Sequence, residues 1–103
     1  MIQVAVQYPR TEGAKFDMDY YTNKHMPMVQ ERCGDALKAM TVVEGMSGGM
    51  SGQPSANVAV GTLTFESLEA FQGAMGPHMG EIMGDIPNYT DITPVLEISE
   101  VKL

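Results

Sequence analysis

Apolar and polar residues alternate from the start of the chain: Ile2, Val4, Val6 and Tyr8 are separated by Gln3, Ala5 and Gln7. A period of two marks a half-buried strand, because successive side chains point to opposite faces. Pro9 is expected to end this strand, since proline cannot donate to a ladder. Beyond a polar loop over 11–15 the period lengthens. Asp17 is placed to cap a helix, its carboxylate accepting from free backbone donors of the first turn. At about 100° per residue, Met18, Tyr21, His25 and Val29 fall on one helical face. Pro27 lies opposite His25 and is expected to kink the helix there, and Gly34 suits its C-terminal end. Strands are predicted over 36–44 and 56–65, the latter with Val58 and Val60 on one face and Leu63 and Phe65 on the other. Between them, Gly45-Met46-Ser47-Gly48 is repeated as Gly49-Met50-Ser51-Gly52, and Gln53-Pro54-Ser55 follows. That stretch reads as a mobile hairpin loop.

Ser67 is a second cap, ahead of Leu68, Phe71 and Met75 on one face. Gly76-Pro77 interrupts this helix, and Met79, Ile82, Met83 and Ile86 resume it at spacings of three and four. Pro87-Asn88 ends it, and a last strand is predicted over 95–103, with Pro94 at its start. The order strand, helix, strand, strand, helix, strand is the ferredoxin-like β-α-β-β-α-β arrangement, an α+β fold with both helices on one face of an antiparallel sheet. The whole of 1–103 then forms one domain. Such a sheet has an uncovered face, here expected to carry Ala, Val and Leu residues, and two copies pairing these faces would bury it as a homodimer.

Charge narrows the functions. Six Lys and Arg against 13 Asp and Glu give a net charge of −7, which disfavours nucleic-acid backbones and anionic membrane surfaces. The beginning Met1-Ile2-Gln3-Val4 carries no basic leader, and the single cysteine, Cys33, has no partner for an intramolecular disulfide. A cytoplasmic protein is expected. Glycine-rich nucleotide motifs, CxxC, HExxH and GxSxG are all missing.

Candidate chemistry centres on His25, an imidazole on an apolar helix face, able to act as acid, base or hydrogen-bond donor near neutral pH. Burying it without a partner would cost about 1–3 kcal/mol, so it needs a polar neighbour or a cavity. Tyr21 lies one turn away, and Tyr8 ends the first strand. Asp85, Tyr89 and Asp91 cluster near the turn into the last strand and are candidates to meet it. His78 reads as solvent-facing, and Cys33, at a helix C-terminus, as unreactive. The methionines at helical spacing read as core filler, and no metal site is expected.

Several of these residues carry a family resemblance: Tyr8-Pro9, Phe16-Asp17 with Tyr20-Tyr21, His25-Met26-Pro27, Phe65-Glu66-Ser67 with Phe71, and 86–91 (Ile-Pro-Asn-Tyr-Thr-Asp) with Pro94 and Glu97. With them the chain resembles the EthD family of dimeric α/β-barrel proteins. The Gly-Met-Ser-Gly repeat is foreign to that pattern. The resemblance implies a ferredoxin-like monomer pairing face to face into a β-barrel. It also implies an oxidoreductase-type enzyme acting on a small apolar organic molecule between helices and sheet. His25 would be its catalytic residue, and Tyr8, Tyr21 and Tyr89 would bind the substrate. No cofactor is expected, with heme bound through His25 left open. The alternatives are a dehydratase or isomerase on the same fold, and a non-catalytic ligand-binding module serving a separate oxygenase.

Overall fold

The computed structural model describes residues 1–50 and 52–103. Its four strands, β1 (Ile2–Pro9), β2 (Ala39–Glu44), β3 (Asn57–Phe65) and β4 (Val95–Glu100), form one sheet in the order β2-β3-β1-β4, every neighbour antiparallel. Two helical stretches cover one face. The first comprises α1 (Met18–Tyr20), a π-helical turn (Tyr21–His25) and α2 (Met26–Cys33). The second comprises α3 (Leu68–Met75), a 3-10 turn (Gly76–His78), α4 (Met79–Asp85) and a further 3-10 turn (Ile86–Asn88). This is the ferredoxin-like α+β architecture that the element order implied.

Alternation in the sequence becomes two sheet faces through the register. Val4 pairs with Leu63 on one side and Ile98 on the other, and Ile2 pairs with Phe65. Ala59, Gly61, Leu63 and Phe65 of β3 are buried beneath the helices with Val4 and Tyr8 of β1. Val29, Cys33, Phe71, Met75 and Ile82 close over them. Phe71 meets Phe65 edge to face at 5.4 Å, a geometry suited to aromatic quadrupoles. On the rim, the guanidinium of Arg32 forks onto the Glu81 carboxylate at 2.8 and 3.0 Å and ties α2 to α4.

Several boundaries differ from the sequence expectation. Pro9 is the last residue of β1 and pairs with Asn57 across a register shift, a strand end where its missing N–H costs no ladder bond. Pro27 introduces no simple kink: the helix widens into a π turn just before it. Gly34, at φ +58°, closes α2, but the chain then makes a 3-10 turn (Gly34–Ala36), so β2 begins at Ala39. β3 begins at Asn57 and β4 ends at Glu100.

The leucine part of the open-face expectation is overturned. Leu63 is buried beneath the helices, and Leu96 shares the helix-side face by pairing with Val6. β4 is an edge strand that the helices cover only in part, which leaves Leu96 40% and Ile98 48% exposed on that side. The open face instead carries Ala5, Val43, Val58, Val60 and Val95 among threonines and glutamines, as the register requires. Met46 and Met50 of the repeat are fully exposed, and its Ser51 lies outside the described residues. Among the described residues no helix is long and apolar enough to cross a membrane.

Candidate functional site

The site begins with a cap. The Asp17 carboxylate accepts from the backbone N–H of Tyr20 at 3.0 Å and starts the first helical stretch. One turn later the hydrogen-bond spacing stretches to five residues, with the N–H of Met26 reaching the carbonyl of Tyr21. The wide turn falls where Pro27 lacks an N–H and its ring would crowd the carbonyl four residues earlier. Tyr21 and His25, at its two ends, both point at the sheet and are buried. Their rings stack at 5.6 Å and 18°, and Tyr89 lies 4.7 Å from the imidazole.

His25 is 4% exposed, and its polar partner is Asp85, at the end of α4. Nδ1 lies 2.9 Å from the carboxylate Oδ2. The other oxygen, Oδ1, accepts from the Tyr20 hydroxyl at 2.7 Å and from the Asn88 amide at 2.9 Å. Burial opposes ionisation of Asp85, but the hydrogen bonds from Tyr20, Asn88 and His25 outweigh it and hold its pKa below the usual carboxylate value. Burial is also the largest influence on His25 and lowers its pKa, against the pull of Asp85. Near neutral pH the pair is therefore a carboxylate and a neutral imidazole. An ionised carboxylate only accepts, so Nδ1 carries the proton and Nε2 keeps its lone pair. Nε2 has no hydrogen-bond partner among the described residues, and the ring lines an apolar cavity.

Both pKa values are lowered, with opposite effects on stability, and this makes a pH signature. Below the unfolded value of 6.5 the unfolded chain binds a proton that folded His25 resists, so stability falls as pH drops from 6.5 to the lower folded value. Stability from Asp85 is present above 3.8 and is lost only as pH falls through its still lower folded value. Melting temperatures recorded from about pH 8 to about pH 5 should fall less in His25→Gln than in the wild-type protein. Parallel curves would show that His25 resists no proton.

Two further rings, Tyr8 and Phe16, pack on Tyr21 and Tyr89. The hydroxyls of Tyr8 and Tyr89 share a hydrogen bond at 2.5 Å. Phe16 packs edge to face on Tyr8 and Tyr21 at 5.0 and 5.1 Å. Burial pushes the hydroxyls of Tyr8, Tyr21 and Tyr89 well above the ordinary tyrosine value, so all three stay protonated and act as hydrogen-bond groups rather than bases. The Tyr21 hydroxyl lies against Gly61 of β3: a Cβ there would stand 2.2 Å from it.

Next to these rings lies a narrow cavity of about 30 Å³, lined by His25, Tyr8 and Tyr21 and by apolar side chains that include Met26, Met75, Met79 and Met83. It has room for about two waters. Thioether side chains are flexible, so this lining can yield to a larger apolar guest. Met83 and Ile86 also line an open groove of about 840 Å³ running along 15–17 and 86–94. Phe16 and Tyr89 line the same groove, so the larger space borders the aromatic cluster from outside, while His25, Tyr8 and Tyr21 face the narrow cavity. At about 30 Å³ the cavity is far too small for a porphyrin, so heme does not fit it.

Of the residues singled out in the sequence, Tyr8, Tyr21, His25, Asp85 and Tyr89 come together. Asp91 does not. Its carboxylate accepts the Lys15 N–H at 2.9 Å on the loop beyond. His78 is half-buried rather than solvent-facing. Cys33 places its sulfur 3.2 Å from that of Met75, and burial raises its thiol pKa. Tyr20 and Asn88 were missed. Tyr20 falls off the apolar face of the wheel, and the one local clue to Asn88 is its three-residue spacing from Asp85 across a helical turn.

Fold and site define a ferredoxin-like α+β protein with a histidine–carboxylate pair beneath its helices. The chain belongs to the EthD family, the EthD domain matching residues 10–93. It is similar to an EthD-like protein from Ralstonia eutropha JMP134 at 53% identity and a TM-score of 0.93, over 99% of this chain and 92% of that one. An ethyl tert-butyl ether degradation (EthD) family protein from Bacillus halodurans C-125 follows at 22% identity and a TM-score of 0.69, over 99% of both chains. A Deinococcus radiodurans protein assigned as an antibiotic biosynthesis monooxygenase shares the fold at 13% identity, with a TM-score of 0.64 over 100% of this chain and 94% of that one. No curated protein matches this chain.

Proposed function

We propose that the protein is an enzyme acting by general-base chemistry on a small, mostly apolar organic molecule held between helices and sheet. His25 is the catalytic base through Nε2, Asp85 fixes its ring and tautomer, and Tyr8, Tyr21 and Tyr89 contact the substrate. One observation carries this reading: Nδ1 is tied to an ionised carboxylate at 2.9 Å while Nε2 is left bare beside an apolar cavity. The carboxylate fixes the tautomer that leaves Nε2 as the acceptor, which a base requires. Proton abstraction is a step shared by cofactor-free oxidation, dehydration and isomerisation. The oxidoreductase-type reaction expected from the family resemblance is one of these. Among the described residues no Lys or Arg lines the cavity, which favours an uncharged substrate.

The test starts from whatever small molecule co-purifies with the full chain, identified by mass spectrometry and then offered to the protein alone. With His25 as the base, kcat/KM should rise with pH through a value below 6.5 and level off above it. A bound molecule that the protein never turns over would instead mark a ligand-binding module.

The open sheet face supports a second, independent proposal, that two copies pair through it. Ala5, Val43, Val58, Val60 and Val95 form an apolar patch that an isologous contact would cover. Light scattering at micromolar concentration should give a mass near twice 11.2 kDa, and a mass near 11.2 kDa would refute the pairing.

A further inference from the structure

Asp85 stands between two openings. On one side its partner His25 faces the apolar cavity. On the other, Asp85 itself lines an open cleft of about 330 Å³ with Tyr20, Lys24, Glu81 and Asn88. Its side chain is 18% exposed, so water in the cleft competes for its oxygens. A carboxylate that swings towards that water loses its aim at Nδ1.

Two side chains oppose the swing. The Tyr20 hydroxyl donates to Oδ1 at 2.7 Å and the Asn88 amide donates to the same oxygen at 2.9 Å, leaving Oδ2 to His25. The two donors are themselves held. The Tyr20 ring stacks on Tyr89 at 6.0 Å and 22°, its backbone N–H is taken by the Asp17 cap, and the Asn88 amide also reaches the Tyr20 hydroxyl at 3.5 Å. Three donors from three segments thus meet one carboxylate.

We propose that Tyr20 and Asn88 are positioning residues, a clasp on Oδ1 that orients Asp85 and thereby keeps the proton of His25 on Nδ1 and the lone pair on Nε2. The consequence for turnover rests on His25 being the base; the clasp itself is a property of the resting protein. Titratable groups face Asp85 on several sides: His25 and Tyr20 hydrogen-bond to it, Lys24 and Glu81 share its cleft, and Tyr89 stands behind. Both clasp donors favour its ionised form, so losing either should make it easier to protonate.

The test needs no substrate for its main readout. In full-length protein with labelled histidine and aspartate, nitrogen NMR reports which ring nitrogen of His25 carries the proton, and carbon NMR follows the titration of Asp85. Tyr20→Phe keeps the ring stack and removes only the hydroxyl. Wild-type His25 is expected as a single Nδ1–H form. In Tyr20→Phe the Asp85 midpoint should rise and His25 should become a mixture of both tautomers. Turnover of the co-purified molecule should fall about tenfold in kcat with KM unchanged. An unaltered Asp85 midpoint and tautomer in a folded Tyr20→Phe protein overturns the clasp. Should that variant not fold, Asn88→Ala at an exposed position removes the second donor, and the same two signals decide. A shifted tautomer with full turnover upholds the clasp and refutes His25 as the base.

Discussion

Asp85→Asn is expected to yield a folded protein whose turnover is lower by a factor on the order of 10²–10⁴, the range supplied by general acid–base catalysis. The argument lies in how an amide must sit in that position. Tyr20 and Asn88 both donate towards Oδ1, so the amide oxygen turns to them and the NH₂ group turns to His25. Facing a donor, Nδ1 must become the acceptor, and the ring proton moves to Nε2. The base is then blocked by its own proton, although nothing in the cavity has changed shape. His25→Gln should lose turnover to a similar degree with near-normal folding, because glutamine matches the reach of histidine but offers no base. Steady-state kinetics on the co-purified molecule, with circular dichroism as the folding control, checks both. Wild-type turnover in either folded variant removes the catalytic assignment.

Gly61→Ala should cost about 1–3 kcal/mol of stability, the range for overpacking a filled core. A Cβ at this position would stand 2.2 Å from the Tyr21 hydroxyl oxygen and 3.3 Å from the terminal methyl of Met26. Tyr21 has nowhere simple to go, since it is buried among Tyr8, Phe16, His25 and Tyr89. Tyr21→Phe removes the clashing oxygen and leaves the ring carbon at 3.4 Å, an ordinary contact. The pair should therefore be strongly non-additive, with Tyr21→Phe recovering most of the loss in urea unfolding. Additive losses would place the strain elsewhere.

The elements were legible because the central strands β1 and β3 and both helical stretches present one face to the core. Val4, Leu63 and Phe65 stand at period two and Tyr21, His25 and Val29 at helical period, so their shared side could be read residue by residue. Burial of His25 was legible for the same reason, and so was its need for a polar partner. The Pro27 signal was visible but its outcome was not. A missing N–H permits a kink, a break or a wide turn, and packing of Tyr21 and His25 against the sheet selects the wide turn. Leu96 and Ile98 share the helix-side face with Val6 and Val4 yet stay 40% and 48% exposed, because β4 lies at the edge of the sheet.

Local periodicity and the cost of wetting apolar surface fix the α+β order of elements, the inward faces of its central strands and helices, and the burial of His25. Tertiary structure alone chose Asp85 over Asp91 as the partner of His25. It also brought in Tyr20 and Asn88 and set the Tyr21 hydroxyl against Gly61. Those contacts join residues 60 and 68 positions apart, such as His25 with Asp85 and Tyr20 with Asn88. Hydrogen bonds are short and directional, so which of several nearby carboxylates receives one depends on how two helices settle on the sheet, and no local pattern in the chain encodes that distance.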